Sequence, residues 1–543
     1  MLSYRKLAMR VLGRPFHTGR IDSPRPASQR AAAFVLTAAM LITLAAPAFA
    51  KEWYIEDGNI TVKAGDTKGT NKVSQGESTD VPDTDTVITN REKNASSHTV
   101  TIEAKDKDDK VEVTLKDVNI DTSSRNKAAV SVTGEGDTNI KLDGDNALKS
   151  DIYRSGIYGS GSGSLTISGG ENDSLTAQGG SGANGISSSG SLTISGGTVT
   201  ANGDDGGRGI SSNGGVTISG GSTVTANGGS GTISGGDGIC SSGGVTISGG
   251  STVTANGGNG GSLVGGDGIR SGGGLTVSDG TVTAKGGNGD SKDGYGGDGI
   301  RSGGVVTISG NTVNAAGGYG GKVGGYGICS FDRVAISGGT VEAAGGNGST
   351  GGGSGIYSSV IDLSGSLELT AKAGSPTGKA LLQNGRELDL DTIKDKLGPG
   401  AKVTATDANG DSKQVSIPRP VEPEEPVIPE ESSSSSDGGS ATPSAPVSPL
   451  PGLTVTDKDG QRISYTSTQS GNTLTVCVGR FTASFRISLA ALRQLRAEGI
   501  ETIAFQTILC STTLSVDELL AMGGEDAEAV LTHRLTDSSL TVG

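Results

Sequence analysis

The feature that most constrains this chain is a short sequence that recurs every 24 to 31 residues. SLTISGGTVTAN at 191–202 returns as near-copies at 216–227, 245–256 and 275–284, and a weaker version occupies 334–343. A Gly-Ile pair recurs between the copies, at intervals of 29, 24, 29, 30, 31, 28 and 28 residues. Its isoleucines are Ile157, Ile186, Ile210, Ile239, Ile269, Ile300, Ile328 and Ile356. A repeat of this length predicts a solenoid, because each repeat buries its apolar side chains only against its neighbours.

Each repeat contains three short segments that favour β-strands. They are Gly-Ile with two or three following residues, then Val/Leu-Thr-Ile-Ser, then Thr-Val-Thr-Ala, with apolar and hydroxyl side chains alternating in the last two. Glycines separate the segments, and no segment is long enough for a helix. Three strands and three corners make one coil of a parallel β-helix, with the extra residues of longer repeats confined to the corner before the next Gly-Ile. A disordered glycine-rich linker is the alternative, but a linker has no reason to repeat V-T-I-S in register.

The rest of the chain predicts five further segments. Residues 1–50 are predicted to be a signal peptide, because a basic stretch precedes an apolar run that ends in Ala-Phe-Ala; an uncleaved membrane anchor is the alternative. Segment 51–150 is expected to form the N-terminal cap and the first turns of the β-helix, and 151–372 is expected to form the repeats. Trp53 is expected to cover the open end of the core. A transition (373–417), a Pro/Ser/Glu linker (418–452) and a small α+β domain (453–543) complete the chain.

Charge and cysteine positions exclude some functions and pairings. The net charge is −14, which argues against nucleic acid as a partner because such proteins need basic patches. Cys240 and Cys329 occupy the same repeat position three coils apart, about 14 Å at 4.8 Å per coil. A disulfide needs Cα atoms within about 7 Å, so these two are predicted to be unpaired. Cys477 and Cys510 lie together in the C-terminal domain, and their pairing stays open.

Catalytic constellations are scarce in this sequence. No Cys/His cluster has metal-ligand spacing, and none of the Gly-X-Gly runs opens a helix. Asp204 and Asp205 are the candidate carboxylate pair for a glycosidase, but they share one short corner without an acid/base partner. We therefore expect a protein that is not an enzyme, with a polysaccharide lyase or hydrolase as an alternative.

Alignment of the repeats on Gly-Ile places three carboxylates in one column. Asp237, Asp267 and Asp298 lie two residues before the isoleucine in successive coils, about 5 Å apart. Like charges at this spacing need a counter-charge. Ca²⁺, which prefers carboxylate and carbonyl oxygens, is one candidate. Solvent, or the arginines that follow the isoleucine, Arg270 and Arg301, are the alternative. Asp237 has no such arginine in its own coil.

Two other groups of polar residues recur at the corners. Asn202, Asn227 and Asn256 follow the third strand in three successive coils and predict an internal ladder of side-chain amides. Three tyrosines, Tyr295, Tyr319 and Tyr326, lie near the long corner loops, where they are candidates for stacking on sugar rings or for structural packing.

The succession of AAVSV, N-I-K-L-D-G and G-I…S-L-T-I-S-G-G-T-V-T-A resembles a family of secreted, carbohydrate-binding parallel β-helix proteins of Gram-positive anaerobic bacteria. The resemblance covers about residues 110–370. It implies a calcium-associated β-helix that binds plant cell-wall polysaccharides, either cellulose-like or acidic, without catalysis. This chain has fewer acidic residues and more Gly-Gly and Ser in its repeats than the family pattern.

Together these observations predict a secreted protein, or one retained at the cell surface, that binds an extracellular polysaccharide along one face of the coil. Arg270, Arg301, Tyr295, Tyr319 and Tyr326 are its candidate binding residues. The mature chain is expected to be monomeric and to have no transmembrane segment. A structural stalk or adhesin with a protein or cell-wall partner is the alternative from a different functional class.

Overall fold

The structure is a computed structural model that describes residues 51–418 and, with short gaps, 452–542; the gaps are 458–460, 464, 471, 479–481, 508–510, 523–527 and 534–537. The chain divides into two compact units, Met1–Pro423 and Glu424–Gly543, and the boundary lies within the proline-rich segment. The predicted signal peptide and most of the predicted linker lie outside the described residues. Each unit is described by itself.

The first unit is a parallel β-solenoid with three strands in each coil, which confirms the predicted fold. The first strand of each coil begins at the isoleucine of the Gly-Ile pair or its counterpart. These first strands are Ile60–Ala64, Val100–Ala104, Val130–Gly134, Ile157–Gly159, Ile186–Ser188, Ile210–Ser212, Ile239–Ser241, Ile269–Ser271, Ile300–Ser302 and Leu381–Gln383. In two late coils the first and second strands are continuous, as Ile328–Ile336 and Ile356–Leu363.

The second strand of each coil carries the V-T-I-S segment. The second strands are Glu52–Tyr54, Val87–Thr89, Lys110–Lys116, Asp137–Asp143, Leu165–Ser168, Leu192–Ser195, Val216–Ser219, Val245–Ile247, Leu275–Val277 and Val306–Ile308. The third strand carries T-V-T-A. The third strands are Asn119–Asp121, Asp145–Lys149, Ser174–Ser181, Thr198–Asp204, Thr223–Asn227, Ser251–Asn256, Gly280–Lys285, Thr312–Ala316, Gly339–Ala344, Leu367–Lys372 and Lys402–Thr406. They form a sheet of their own. We call the stacked second strands the second sheet and the stacked third strands the third sheet.

The repeating sequence sets the register of all three strands. Ile210 pairs with Ile239, Val216 with Val245 and Val224 with Val253, each with its counterpart one coil later. The apolar side chains at these positions are buried in one continuous core. Because every strand pairs with its counterpart, side chains at equivalent positions stack in columns along the solenoid axis.

Antiparallel segments close both ends of the solenoid. At the N-terminal end the strands Asn71–Gln75 and Ser78–Asp83 follow Ile60–Ala64 as an antiparallel meander. Trp53 is buried in the core, where its indole Nε1 donates to Asp83 Oδ2 at 2.7 Å. At the other end one further coil follows residue 372, and the strand Ser412–Ser416 pairs antiparallel with its last third strand. Antiparallel closure leaves no long parallel edge for unwanted pairing.

The remaining elements of the first unit are short. Arg386–Glu387 forms a hairpin with Leu381–Gln383, and 3₁₀ helices span Ile55–Asp57 and Leu390–Lys396.

Glycines allow the long corner loops to stack on one another. Gly258 N donates to Gly236 O, and Gly266 N donates to Gly258 O, both at 2.8 Å. A Cβ atom on Gly258 would lie 2.1 Å from Gly229 O, and one on Gly266 would lie 1.9 Å from Gly236 O. Backbone therefore packs directly on backbone, which only glycine permits. The insertions all leave the coil at one corner, as the repeat lengths predict.

The described residues of the second unit form two four-stranded sheets and two helices. One sheet contains Leu453–Thr456, Ala483–Ser488, Glu528–His533 and Ser538–Val542, and the other contains Thr466–Ser470, Thr473–Cys477, Thr502–Gln506 and Ser511–Ser515. Helix α1 spans Leu489–Ala497 and helix α2 spans Val516–Met522. Ser488 caps α1, because its Oγ accepts from Ala491 N at 3.2 Å.

Candidate functional site

The predicted carboxylate column lies just before the first strands and is almost fully buried. Asp237, Asp267 and Asp298 are 5%, 2% and 4% exposed. Each Oδ1 accepts a backbone N–H from the next coil: Asp237 from Asp267 at 2.9 Å and Asp267 from Asp298 at 2.8 Å. Asp298 accepts in the same way from Tyr326 at 2.7 Å. The column thus ties four successive coils together.

Arginines supply the counter-charges on the other carboxylate oxygens. Arg301 Nη1 donates to Asp298 Oδ2 at 3.1 Å, as the ion-pair interpretation predicts. Arg270 Nη2 forms an ion pair with Asp267 Oδ2 at 2.8 Å, although this oxygen accepts no hydrogen bond from the described residues. Asp237 pairs across coils, with Arg270 Nε at 3.2 Å and Arg208 Nε at 3.4 Å. Pairing across coils is what the single-coil alignment missed.

Burial makes the carboxyl groups of Asp267 and Asp298 unusually hard to ionise. Loss of hydration, followed by repulsion from Asp298, raises the pKa of Asp267 to about 7. Burial also raises the pKa of Asp298, although the Tyr326 N–H and Arg301 oppose that change. In the described residues no cluster of three or more His, Cys, Asp or Glu side chains is arranged to hold a metal ion. Calcium at Asp237, Asp267 and Asp298 stays a prediction.

Two thiols lie in the neighbouring column, directly after the isoleucines. Cys240 and Cys329 are free, as predicted. Burial and then the nearby aspartates raise the pKa of Cys240 to about 11 and that of Cys329 to about 12. Both are therefore protonated, unreactive thiols at neutral pH. Cys477 is also free, and Cys510 lies outside the described residues.

The predicted tyrosines do not form one site. Tyr295 and Tyr319 are 43% and 47% exposed on stacked corner loops, and Lys322 Nζ lies 5.7 Å from the Tyr295 ring centre. Tyr326 is half-buried and stacks on Tyr357, with ring centroids 5.1 Å apart. Only Tyr295 and Tyr319 of the three present an open ring to an external sugar. Arg270 and Arg301 are committed to the carboxylate column.

The asparagine ladder forms as predicted. Asn227 Nδ2 donates to Asn202 Oδ1 at 2.8 Å, and Asn256 Nδ2 donates to Asn227 Oδ1 at 2.9 Å. These amides are satisfied by one another, so they hold the coils in register.

The structure adds a groove that the repeat alignment did not indicate. It encloses about 470 Å³ between the N-terminal meander and the second sheet, and a second depression of about 560 Å³ adjoins it at Gly69, Lys110 and Asp137. Its lining is polar and of mixed charge: Asn71, Asp85, Lys110, Glu112, Asp137 and Asn139 belong to it. This volume suits a small ligand or a few sugar units.

Hydrogen bonds fix the floor of this groove. Asn139 Nδ2 donates to Glu112 Oε2 at 3.0 Å, and Asn71 Nδ2 donates to the Glu112 carbonyl at 2.7 Å. Lys110 Nζ lies 3.9 Å from Asp137 Oδ2 on the next coil. Sequence reasoning missed the groove because its wall is the meander, an irregular cap that the repeat does not specify. The clue was the change from Ser and Thr to Glu112 and Asn139 at repeat-equivalent outward positions.

Asp204 and Asp205 are exposed in a corner, where Asp205 Oδ2 accepts from Ser181 Oγ at 3.2 Å. The structure therefore adds no acid/base partner to this pair.

Among the described residues there is no helix long and apolar enough to cross a membrane. Comparisons with protein-family models, curated proteins and solved structures found no match to this chain.

Proposed function

We propose that this protein binds an extracellular polysaccharide without cleaving it, with one segment of the polymer in the N-terminal groove and the next along the second sheet. The groove is the observation that carries the proposal. It offers carboxylate acceptors on Glu112 and Asp137, the second amide hydrogen of Asn139 and the Lys110 ammonium within one cavity, whereas the amide hydrogens of buried Asn71 are donated within the protein. Sugar hydroxyls both donate and accept, so such a mixed lining suits them.

A column of threonines continues from the groove along the solenoid. Glu112 pairs with Asn139 and Asn139 with Thr166, and the outward positions that follow are threonines. They are Thr193, Thr217, Thr246, Thr276 and Thr307. Six threonines at about 4.8 Å per coil extend the groove by about 24 Å. A polymer of repeating units gains affinity from many equivalent weak contacts along such a track.

The charge of the protein favours a neutral polysaccharide. The chain carries a net charge of −14, and the threonine track itself is uncharged. An acidic glycan is repelled at low ionic strength, whereas a neutral one is not. We therefore expect retention on cellulose-like glycans to exceed retention on pectin, most clearly at low salt.

The test is retention of the full chain on insoluble cellulose and on immobilised pectin, with variants in the groove and on the track. Asn139→Ala removes one groove contact and should weaken binding about tenfold, about 1.4 kcal/mol. The matched control Asn213→Ala changes an exposed corner residue and should leave binding unchanged. On the track, Thr217→Tyr should block binding, whereas Thr225→Tyr on the third sheet should not. Equal binding by all four variants, or no retention on any glycan, contradicts the proposal.

Calcium is tested in the same assay with a chelator. If calcium bridges the carboxylate column, chelation abolishes retention and added Ca²⁺ restores it. If the arginines are the only counter-charges, retention is the same in both conditions.

A further inference from the structure

The third sheet presents a regular two-dimensional array of threonines to the solvent. One column contains Thr198, Thr223, Thr252, Thr281, Thr312 and Thr340, and the parallel column contains Thr176, Thr200, Thr225, Thr254 and Thr283. The register is unbroken from Thr198 to Ala316. Four consecutive coils therefore carry a Thr-X-Thr pair, about 4.8 Å apart between coils and about 6.6 Å apart along each strand.

The array is rigid and repeats mainly by translation. All three strands of each coil pair with their counterparts in the next coil, so large rotation between coils is prevented. The neighbouring asparagine ladder ties the same coils together at 2.8 and 2.9 Å. Threonine is β-branched and restricted at its first side-chain torsion, which gives equivalent side chains the same orientation. Hydroxyl and methyl groups thus recur at fixed positions.

The array is also uncharged and unengaged. In the three coils from Thr198 to Asn256 the outward positions of the T-V-T-A-N segments are threonine or asparagine, although the chain as a whole is acidic. The charged residue Asp204 lies beyond this segment, at the end of the strand Thr198–Asp204. The described hydrogen bonds include none from the side chains of Thr200, Thr225 or Thr254, in contrast to the asparagines beside them. These hydroxyl groups remain available to an external lattice.

We propose that this threonine array binds ice, the ordered lattice of water. Its hydroxyl groups occupy positions of lattice oxygens and exchange hydrogen bonds with them, while the methyl groups between them hold first-shell water in place. An uncharged array matches an uncharged lattice, since a charged side chain would orient water around itself. The inference is independent of the proposed glycan groove, which lies on the second sheet.

The test uses the full chain in two measurements: the gap between melting and growth temperatures of a single ice crystal, and the coarsening of fine-grained ice. The wild-type protein should open a gap, facet the crystal and slow coarsening relative to serum albumin at equal mass. Thr254→Tyr, which projects a bulky ring from the middle of the array, should lose most of the gap. Thr246→Tyr, in the same coil but on the second sheet, is the matched control and should keep it. Circular dichroism verifies that both variants fold.

Two results overturn the inference. In the first, the wild-type protein does not differ from albumin in either measurement; if Thr254→Tyr then abolishes retention on neutral glycan or dissociates a dimer, the array binds glycan or a second copy instead. In the second, both tyrosine variants lose the gap equally. Loss of glycan retention in Thr246→Tyr alone leaves the ice proposal intact, so the two proposals fail separately.

Discussion

Replacing Asp267 with asparagine should change how the stability of the solenoid depends on pH. The Asp267 carboxyl is 2% exposed and its pKa is raised from 3.8 to about 7 by burial and by Asp298. The folded state therefore holds this proton more tightly than the unfolded state does. The stability that the protonated carboxyl contributes is fully present below about pH 4 and is lost as the pH rises through about 7.

The magnitude follows from the size of the change in pKa. About three pKa units at about 1.36 kcal/mol each give a loss on the order of 4 kcal/mol between about pH 4 and pH 8. The asparagine side chain of the Asp267→Asn variant has no charge to gain, and its amide oxygen can still accept from Asp298 N. We therefore expect the unfolding free energy of Asp267→Asn to fall less than that of the wild type over this range.

The assay is urea unfolding followed by circular dichroism at pH 5 and pH 8, since urea leaves the ion pairs unscreened. Asp290→Asn, which changes an exposed acidic residue of a corner loop, is the matched control and should keep the wild-type dependence on pH. Equal changes in midpoint between pH 5 and pH 8 for the wild type and Asp267→Asn would refute the burial argument.

Three further predictions concern other columns of the solenoid. Gly266→Ala should lower the thermal midpoint of unfolding strongly, because its Cβ would lie 1.9 Å from Gly236 O. The control Gly215→Ala should have little effect, because its Cβ would lie at an ordinary 3.4 Å from Gly244 O. Equal midpoints for the two variants would contradict direct backbone packing. Asn227→Ala removes two ladder hydrogen bonds and should cost about 1 to 3 kcal/mol in urea unfolding, compared with about zero for the exposed Asn213→Ala. Cys240 and Cys329, with pKa values of about 11 and about 12, should resist alkylation at pH 8 until the protein is unfolded. Rapid labelling of either thiol in the folded state would contradict its burial.

The repeat alone was enough to predict the solenoid, because one pattern fixes strand, corner and register at once. Val224 pairs with Val253 because the segment TVTAN recurs in successive coils. The same register brings Asn227 and Asn256 together in the asparagine ladder. The partners of Asp267 and Asp298 were also predictable, since Arg270 and Arg301 lie three residues later on the same corner.

The groove was not predictable from the repeat, because it depends on tertiary structure that does not repeat. Its wall is the meander that follows Ile60–Ala64, and its floor includes Glu112 from an early coil of atypical sequence. The pairing of Asp237 with Arg208 and Arg270 could not be predicted from the alignment of single repeats, because both arginines come from other coils. The stacking of Tyr326 on Tyr357 of the next coil, which is the structural alternative for this ring, also depends on a contact between coils.

The central claim is that a glycan occupies the N-terminal groove and the second sheet, and amide hydrogen exchange tests it most directly. The full chain is measured with and without a soluble oligosaccharide of whichever polysaccharide retains it best. The account predicts slower exchange in the second strands Lys110–Lys116, Asp137–Asp143 and Leu165–Ser168, with no change in the third strands of the same coils. Protection confined to the third strands, or no protection anywhere in the solenoid while the oligosaccharide is bound, would contradict it.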